Sequence, residues 1–118
     1  EMGHKDRLVI CDSGLPIPKE VERIDLALKP GLPKFKEVLA TVLEDLVVEG
    51  AIIAQEMQTE SPDLWQEVEE LLAQEGIEKI ETCPHAKFKE LTTETKGIVR
   101  SGEVIPFANI ILISGVDF

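Results

Sequence analysis

The chain has 118 residues, 43% of them hydrophobic, with 23 acidic and 12 basic side chains and a formal net charge of −11. One folded, soluble domain is expected at this length, since so apolar a chain is not a disordered acidic tail. The charge argues against a sequence-independent nucleic-acid binder and against a polybasic membrane-surface module, both of which need clustered Lys and Arg.

The opening Glu1-Met2-Gly3-His4 is charged and abrupt, as if the chain began inside a longer natural sequence. It has no basic segment followed by an apolar one, so a cytoplasmic protein is expected. Arg7 to Cys11 is a short apolar run with β-branched residues and reads as a buried strand, stopped by the turn cluster Asp12-Ser13-Gly14. Leu15-Pro16-Ile17-Pro18 excludes both helix and central strand. Ile24 to Leu28 reads as a second strand, closed by Lys29-Pro30-Gly31-Leu32-Pro33.

The clearest helix follows. Phe35, Val38, Leu39, Val42, Leu43, Leu46 and Val47 lie on one buried stripe, with Pro33 in the first turn and Gly50 as the stop. Ala51 to Ala54 reads as a strand ending at Gln55-Glu56. Ser61-Pro62 reads as an N-cap before a proline at the first helical position, and Leu64, Trp65, Val68, Leu71 and Leu72 form that helix's apolar face up to Gly76. Ile77 to Thr82 is a strand ending at Cys83-Pro84-His85. A short helix with Phe88 and Leu91 inward comes next, and Gly97 to Val99 and Ala108 to Ile113 are the last strands. The longest apolar runs, such as Ile110-Ile111-Leu112-Ile113, are far below the ~20 residues of a spanning helix.

This alternation predicts an α/β fold: a single domain over 1–118 with a mostly parallel central sheet and helices packed on its faces. Ligands gather outside the carboxyl ends of such strands. The polar residues there are Asp12, Gln55, Glu56 and His85, with Arg100 and Glu103 after the next strand. Each has a plain alternative. Asp12 can be only an Asx turn, His85 a helix residue facing water, His4 a loop residue at a frayed terminus, and Glu103 a surface charge.

No phosphate-binding glycine loop, nucleophile elbow or Cys-x-x-Cys pair is present. His4, Asp12, Cys83 and His85 match no recognised metal-ligand spacing, so no metal is expected. Cys11 and Cys83 are expected as reduced thiols, and with four Phe, one Trp and no Tyr a base-stacking platform is not expected. Two histidines, a few carboxylates and Asn109 suit proton transfer to and from hydroxyls of a small polar substrate.

Several strings are more specific. Gly3-His4, then Leu8-Val9-Ile10-Cys11-Asp12-Ser13-Gly14-Leu15-Pro16-Ile17-Pro18, resembles the start of the D-ribose pyranases. The resemblance runs on through Ile24-Asp25-Leu26-Ala27-Leu28, Gly31-Leu32-Pro33, Pro84-His85, Arg100-Ser101-Gly102-Glu103, Pro106-Phe107-Ala108-Asn109 and Gly115-Val116-Asp117-Phe118. L-fucose mutarotases share the Gly-His and Asp features but lack the Gly-Leu-Pro-Ile-Pro run.

The resemblance implies an isomerase that interconverts pyranose and furanose forms of D-ribose without a cofactor. It implies a catalytic histidine at His4, and sugar binding by Asp12, His85 and the segment Phe107-Ala108-Asn109, where Phe107 stands in place of the family's tyrosine. It also implies a helical segment before Gly3 and assembly into a ring-based homo-oligomer, a homodecamer of two stacked pentamers. Such rings would bring one subunit's histidine-aspartate region beside a neighbour's C-terminal segment. Pro16-Ile17-Pro18 and Val116-Asp117-Phe118 are candidate interface material. A non-catalytic sugar-binding module tied to ribose uptake or regulation is the alternative on the same fold.

Overall fold

In the computed structural model, which describes residues 2–116, Arg7–Cys11 forms β1 with side chains alternating between two apolar layers. Ile10 is buried in one layer, and Val9 and Cys11 in the other. A period of two is what a strand covered on both faces requires. Then come β2 (Glu22–Asp25), α1 (Phe35–Asp45), β3 (Val48–Ala54), α2 (Gln55–Glu60), α3 (Pro62–Gln74), β4 (Lys79–Cys83), α4 (His85–Leu91), a 3-10 turn (Thr92–Glu94), β5 (Gly97–Arg100) and β6 (Ile110–Ser114).

The strands form one six-stranded sheet in the order β2-β5-β1-β6-β3-β4. β2, β5 and β1 are parallel, as are β3 and β4, while β6 runs antiparallel to both β1 and β3. The expected mostly parallel α/β sheet is what the chain forms. The reversed direction of β6 was not legible from periodicity, and it decides the site: residues just before Ile110 lie at the same edge as the carboxyl ends of β1, β3 and β4. Phe35, Leu39 and Leu43 of α1, Met57 of α2, and Leu64, Val68 and Leu72 of α3 cover one face. Leu15, Val21 and Phe88 of α4 cover the other. Each fully buried Phe or Leu contributes about 1.5–3 kcal/mol, and this holds the helices on the sheet.

Several boundaries differ from the sequence expectation. α1 ends at Asp45, and Gly50, expected as its stop, lies inside β3. Leu46 is extended, and Val48 and Gly50 pair with Ser114 and Ile113 of β6, so strand pairing overrides the continuing helical stripe. Pro33 precedes α1 rather than entering its first turn, and Glu37 Oε1 accepts the Lys34 N–H at 2.9 Å. β2 stops at Asp25, whose Oδ1 accepts the Ala27 N–H at 3.1 Å and turns the chain. Gln55 and Glu56 open α2, an extra helix. Ile17 packs against the core of its own chain. Of the other candidate interface segment, Val116 is exposed and Asp117-Phe118 lies outside the described residues. No helix among the described residues is long and apolar enough to cross a membrane.

Candidate functional site

Asp12 follows the last residue of β1 and turns the chain there. Its Oδ1 accepts the N–H groups of Gly14 at 3.0 Å and Leu15 at 2.9 Å, and the Ala108 N–H lies near its carboxylate. The Asx turn is therefore real, and it sits in the site. Burial pushes the Asp12 carboxyl above the usual carboxylate range, opposed in part by those three N–H groups and by nearby His85. The Asp12 N–H donates to Asn109 Oδ1 at 2.9 Å, which assigns the amide oxygen of that buried side chain.

His85 opens α4 at the carboxyl end of β4. Glu56 Oε1 accepts its backbone N–H at 2.9 Å, so the extra helix α2 anchors the start of α4. The His85 ring meets the Phe107 ring edge-on, with centroids 5.0 Å apart and planes at 82°. Its Nδ1 is buried and has no hydrogen-bond partner among the described residues. Phe107 has a φ of 65°, a left-handed conformation unusual for a bulky side chain.

These groups surround an open cleft of about 480 Å³, whose lining includes Asp12, His85, Lys89, Glu103, Phe107 and Asn109. Ala108, fully buried, contributes its backbone rather than its side chain. The cleft lies outside the carboxyl ends of β1 and β4 and the amino end of β6, the edge expected for an α/β sheet.

His4 is elsewhere. It lies before β1, at the opposite end of that strand from Asp12, and its Nε2 is 2.9 Å from Glu49 Oε1 near the start of β3. Lys5 pairs with the same carboxylate, and Lys5 and His4 together hold it below its usual range. This end is tied down, because Lys5 N–H donates to Ser114 O at 2.9 Å and the Ser114 hydroxyl bonds Gly3 O. Asp12 adjoins Phe107-Ala108-Asn109 of its own chain, and His4 is the group that stands apart.

Of the two polar residues expected after β5, Glu103 lines the cleft and Arg100 does not. Arg100 lies in one register row with Cys11 and Asp25, its Nη1 3.4 Å from Asp25 Oδ2, outside the cleft lining. Cys11 is buried in that row, and burial, with Asp12 adding to it, pushes its thiol up to about 12. Glu103 is only 5% exposed, so its plain alternative as a surface charge does not hold. Two residues were missed by sequence reasoning. Lys89 lies four positions after His85 on α4, a helical spacing that would have found it. Ser61 donates its hydroxyl to Pro106 O at 2.7 Å instead of capping α3, a partner 45 residues away that no local pattern reveals.

Hydroxyl acceptors, amide and ammonium donors and an aromatic edge around one small cleft suit a polyhydroxylated ligand. Comparison with known proteins agrees. Residues 1–117 match the model of the RbsD / FucU transport protein family. The chain is 45% identical over 117 residues to the D-ribose pyranase of Geobacillus thermodenitrificans, covering 99% of this chain and 86% of that protein. It is 48% identical over 118 residues to the D-ribose pyranase of Laribacter hongkongensis, covering 100% and 88%. Bacillus subtilis RbsD complexed with D-ribose superimposes with a TM-score of 0.94 at 42% identity, over 100% of this chain and 88% of that one. The fucose mutarotase of Streptococcus pneumoniae, in complex with L-fucose, shares the fold with a TM-score of 0.81 at 21% identity, over 100% and 88%.

Proposed function

This chain belongs to the RbsD / FucU transport protein family, and from that premise we propose that it is a D-ribose pyranase, an isomerase that interconverts the pyranose and furanose rings of the free sugar. The observation that carries this reading is the cleft itself. Asp12, His85, Phe107 and Asn109, far apart in sequence, line one opening of about 480 Å³, on a chain superimposable on a ribose-bound relative.

Ring exchange needs a proton removed from the anomeric hydroxyl and one delivered to the ring oxygen. The open aldehyde then rotates, and a different hydroxyl attacks its carbonyl carbon. An imidazole nitrogen can either accept or donate a proton, so a histidine can carry out either transfer. In our reading His4 carries the proton. Asp12 accepts from a sugar hydroxyl, and Asn109 donates its NH₂, since its oxygen is already engaged by Asp12. The unpartnered His85 Nδ1 accepts from another hydroxyl, and Phe107 packs against the sugar carbons. No cofactor enters this chemistry.

Because His4 lies at the other end of its own sheet from Asp12, the reading requires a second copy to bring its His4 to this cleft. We therefore infer a homo-oligomer, ring-based and decameric as the sequence resemblance implies. Exposed Ile24, Leu26, Leu28 and Leu32 supply apolar surface on a chain of net charge −11 whose copies otherwise repel. The two free thiols accord with a cytoplasmic enzyme of ribose catabolism.

The test is NMR saturation transfer between pyranose and furanose anomeric signals of D-ribose. Accelerated exchange is expected, and His4→Ala should slow it by roughly 10²–10⁴-fold. Saturable binding without acceleration would instead indicate a sugar-binding module. Refolding His4→Ala and Asn109→Ala chains together at equal amounts should restore about a quarter of the sites, whereas a site complete within one chain would regain nothing.

A further inference from the structure

The segment from Glu103 to Phe107 lines the cleft but belongs to neither β5 nor β6. It ends in the left-handed Phe107, a conformation that persists for a bulky residue only where the surroundings impose it. Two buried polar side chains hold the backbone on its way to this residue. The Glu103 carboxylate accepts the Phe35 N–H, the first of α1, at 3.1 Å through Oε1, and the Val104 and Ile105 N–H groups at 3.2 and 3.3 Å through Oε2. At the other end the Ser61 hydroxyl, on a residue 7% exposed between α2 and α3, donates to Pro106 O. Ser101 secures the start, its hydroxyl accepting the Glu103 N–H and donating to Cys11 O.

We propose that Glu103 and Ser61 are positioning residues that clamp this segment at both ends and so hold the Phe107 ring against His85 across the cleft. The proposal rests on the reading of that cleft as the sugar site. Glu103 directs both carboxylate oxygens at backbone N–H groups, and the Ser61 hydroxyl is committed to a carbonyl, so both act through Phe107 rather than on the reacting atoms. Loosening either end lowers the fraction of molecules with the ring in place. Apparent affinity falls by that fraction, while turnover from the bound state is unchanged.

The chain has two histidines, so their ring C–H signals separate the clamp from the rest of the fold. His85 feels the ring current of Phe107, and His4, at the far end of β1, does not. Ser61→Ala and Glu103→Gln should each shift the His85 signals, leave those of His4 in place, and raise KM for ribose about three- to tenfold with kcat unchanged. Ser61→Thr, which keeps the hydroxyl, should restore both readouts. Folded Ser61→Ala protein with unshifted His85 signals and unchanged KM overturns the clamp. So does a shift of both histidines together, which marks general loosening. If Glu103→Gln fails to fold, the Ser61→Ala and Ser61→Thr pair decides. A wild-type chain that does not accelerate ring exchange removes the pyranase reading, while the His85 signals still judge the clamp.

Discussion

Asp12 and Asn109 are joined across 97 residues by a 2.9 Å hydrogen bond from the Asp12 N–H to the Asn109 side-chain oxygen. The bond ties the end of β1 to the approach to β6 and makes the acid and the amide one unit. Asn109→Ala leaves that N–H without its partner and opens a gap at a position 1% exposed. A loss of about 1–3 kcal/mol in urea unfolding is expected, together with a clear rise in KM for ribose. Unchanged stability would show that the bond does not hold the two elements together.

Asp12 also makes stability depend on pH. Burial raises its carboxyl above the ordinary value, so the folded chain holds this proton more tightly than the unfolded one. Its favourable contribution is therefore fully present at acid pH, below the unfolded value, and is lost as pH rises through the raised folded value. Asp12→Asn cannot titrate and keeps an oxygen for the Gly14 and Leu15 N–H groups. Its melting temperature relative to wild type should climb as pH rises from about 3 and level off once the wild-type carboxyl has ionised. A difference that stays flat or falls with pH contradicts this assignment.

Phe107 presents a ring where a hydroxyl would reach into the cleft. Phe107→Tyr should lower KM for ribose by about two- to tenfold, the worth of one added hydrogen bond, with the His85 contact kept. Unaltered affinity would mean that no sugar hydroxyl stands within reach of that position.

Gly102 lies against the backbone of Leu32, and a Cβ there would run into it. The two segments also exchange hydrogen bonds of 2.7 Å, Gly31 N–H to Gly102 O and Gly102 N–H to Pro33 O. Gly102→Ala should cost about 1–3 kcal/mol of stability, the usual penalty of overpacking, and lower the melting temperature. Because the displaced loop leads into Phe35, whose N–H bonds Glu103, KM for ribose should rise as well. A substitution without effect on melting would show that the loop yields freely.

The sequence by itself determined what local pattern can carry. A short apolar run with β-branched residues marked β1, the helical stripes marked α1 and α3, and Gly76, at a φ of 73°, closed α3 as expected. Those signals depend on residues within about one helical turn of each other. The residue strings around His4, Asp12, His85 and Asn109 likewise marked candidate chemistry without their spatial arrangement. Only the tertiary structure decided that β6 enters antiparallel and so lays Asn109 on Asp12, that Gly50 belongs to a strand, and that Ser61 serves Pro106 instead of its own helix. It also separated His4 from the cleft and buried Glu103 within it. In each of these cases the deciding partner lies 45 or more residues away or on a neighbouring strand. A hydroxyl, an amide or a carboxylate takes the partner that folding brings to it, and the choice rests on strand order and direction rather than on neighbours in the chain.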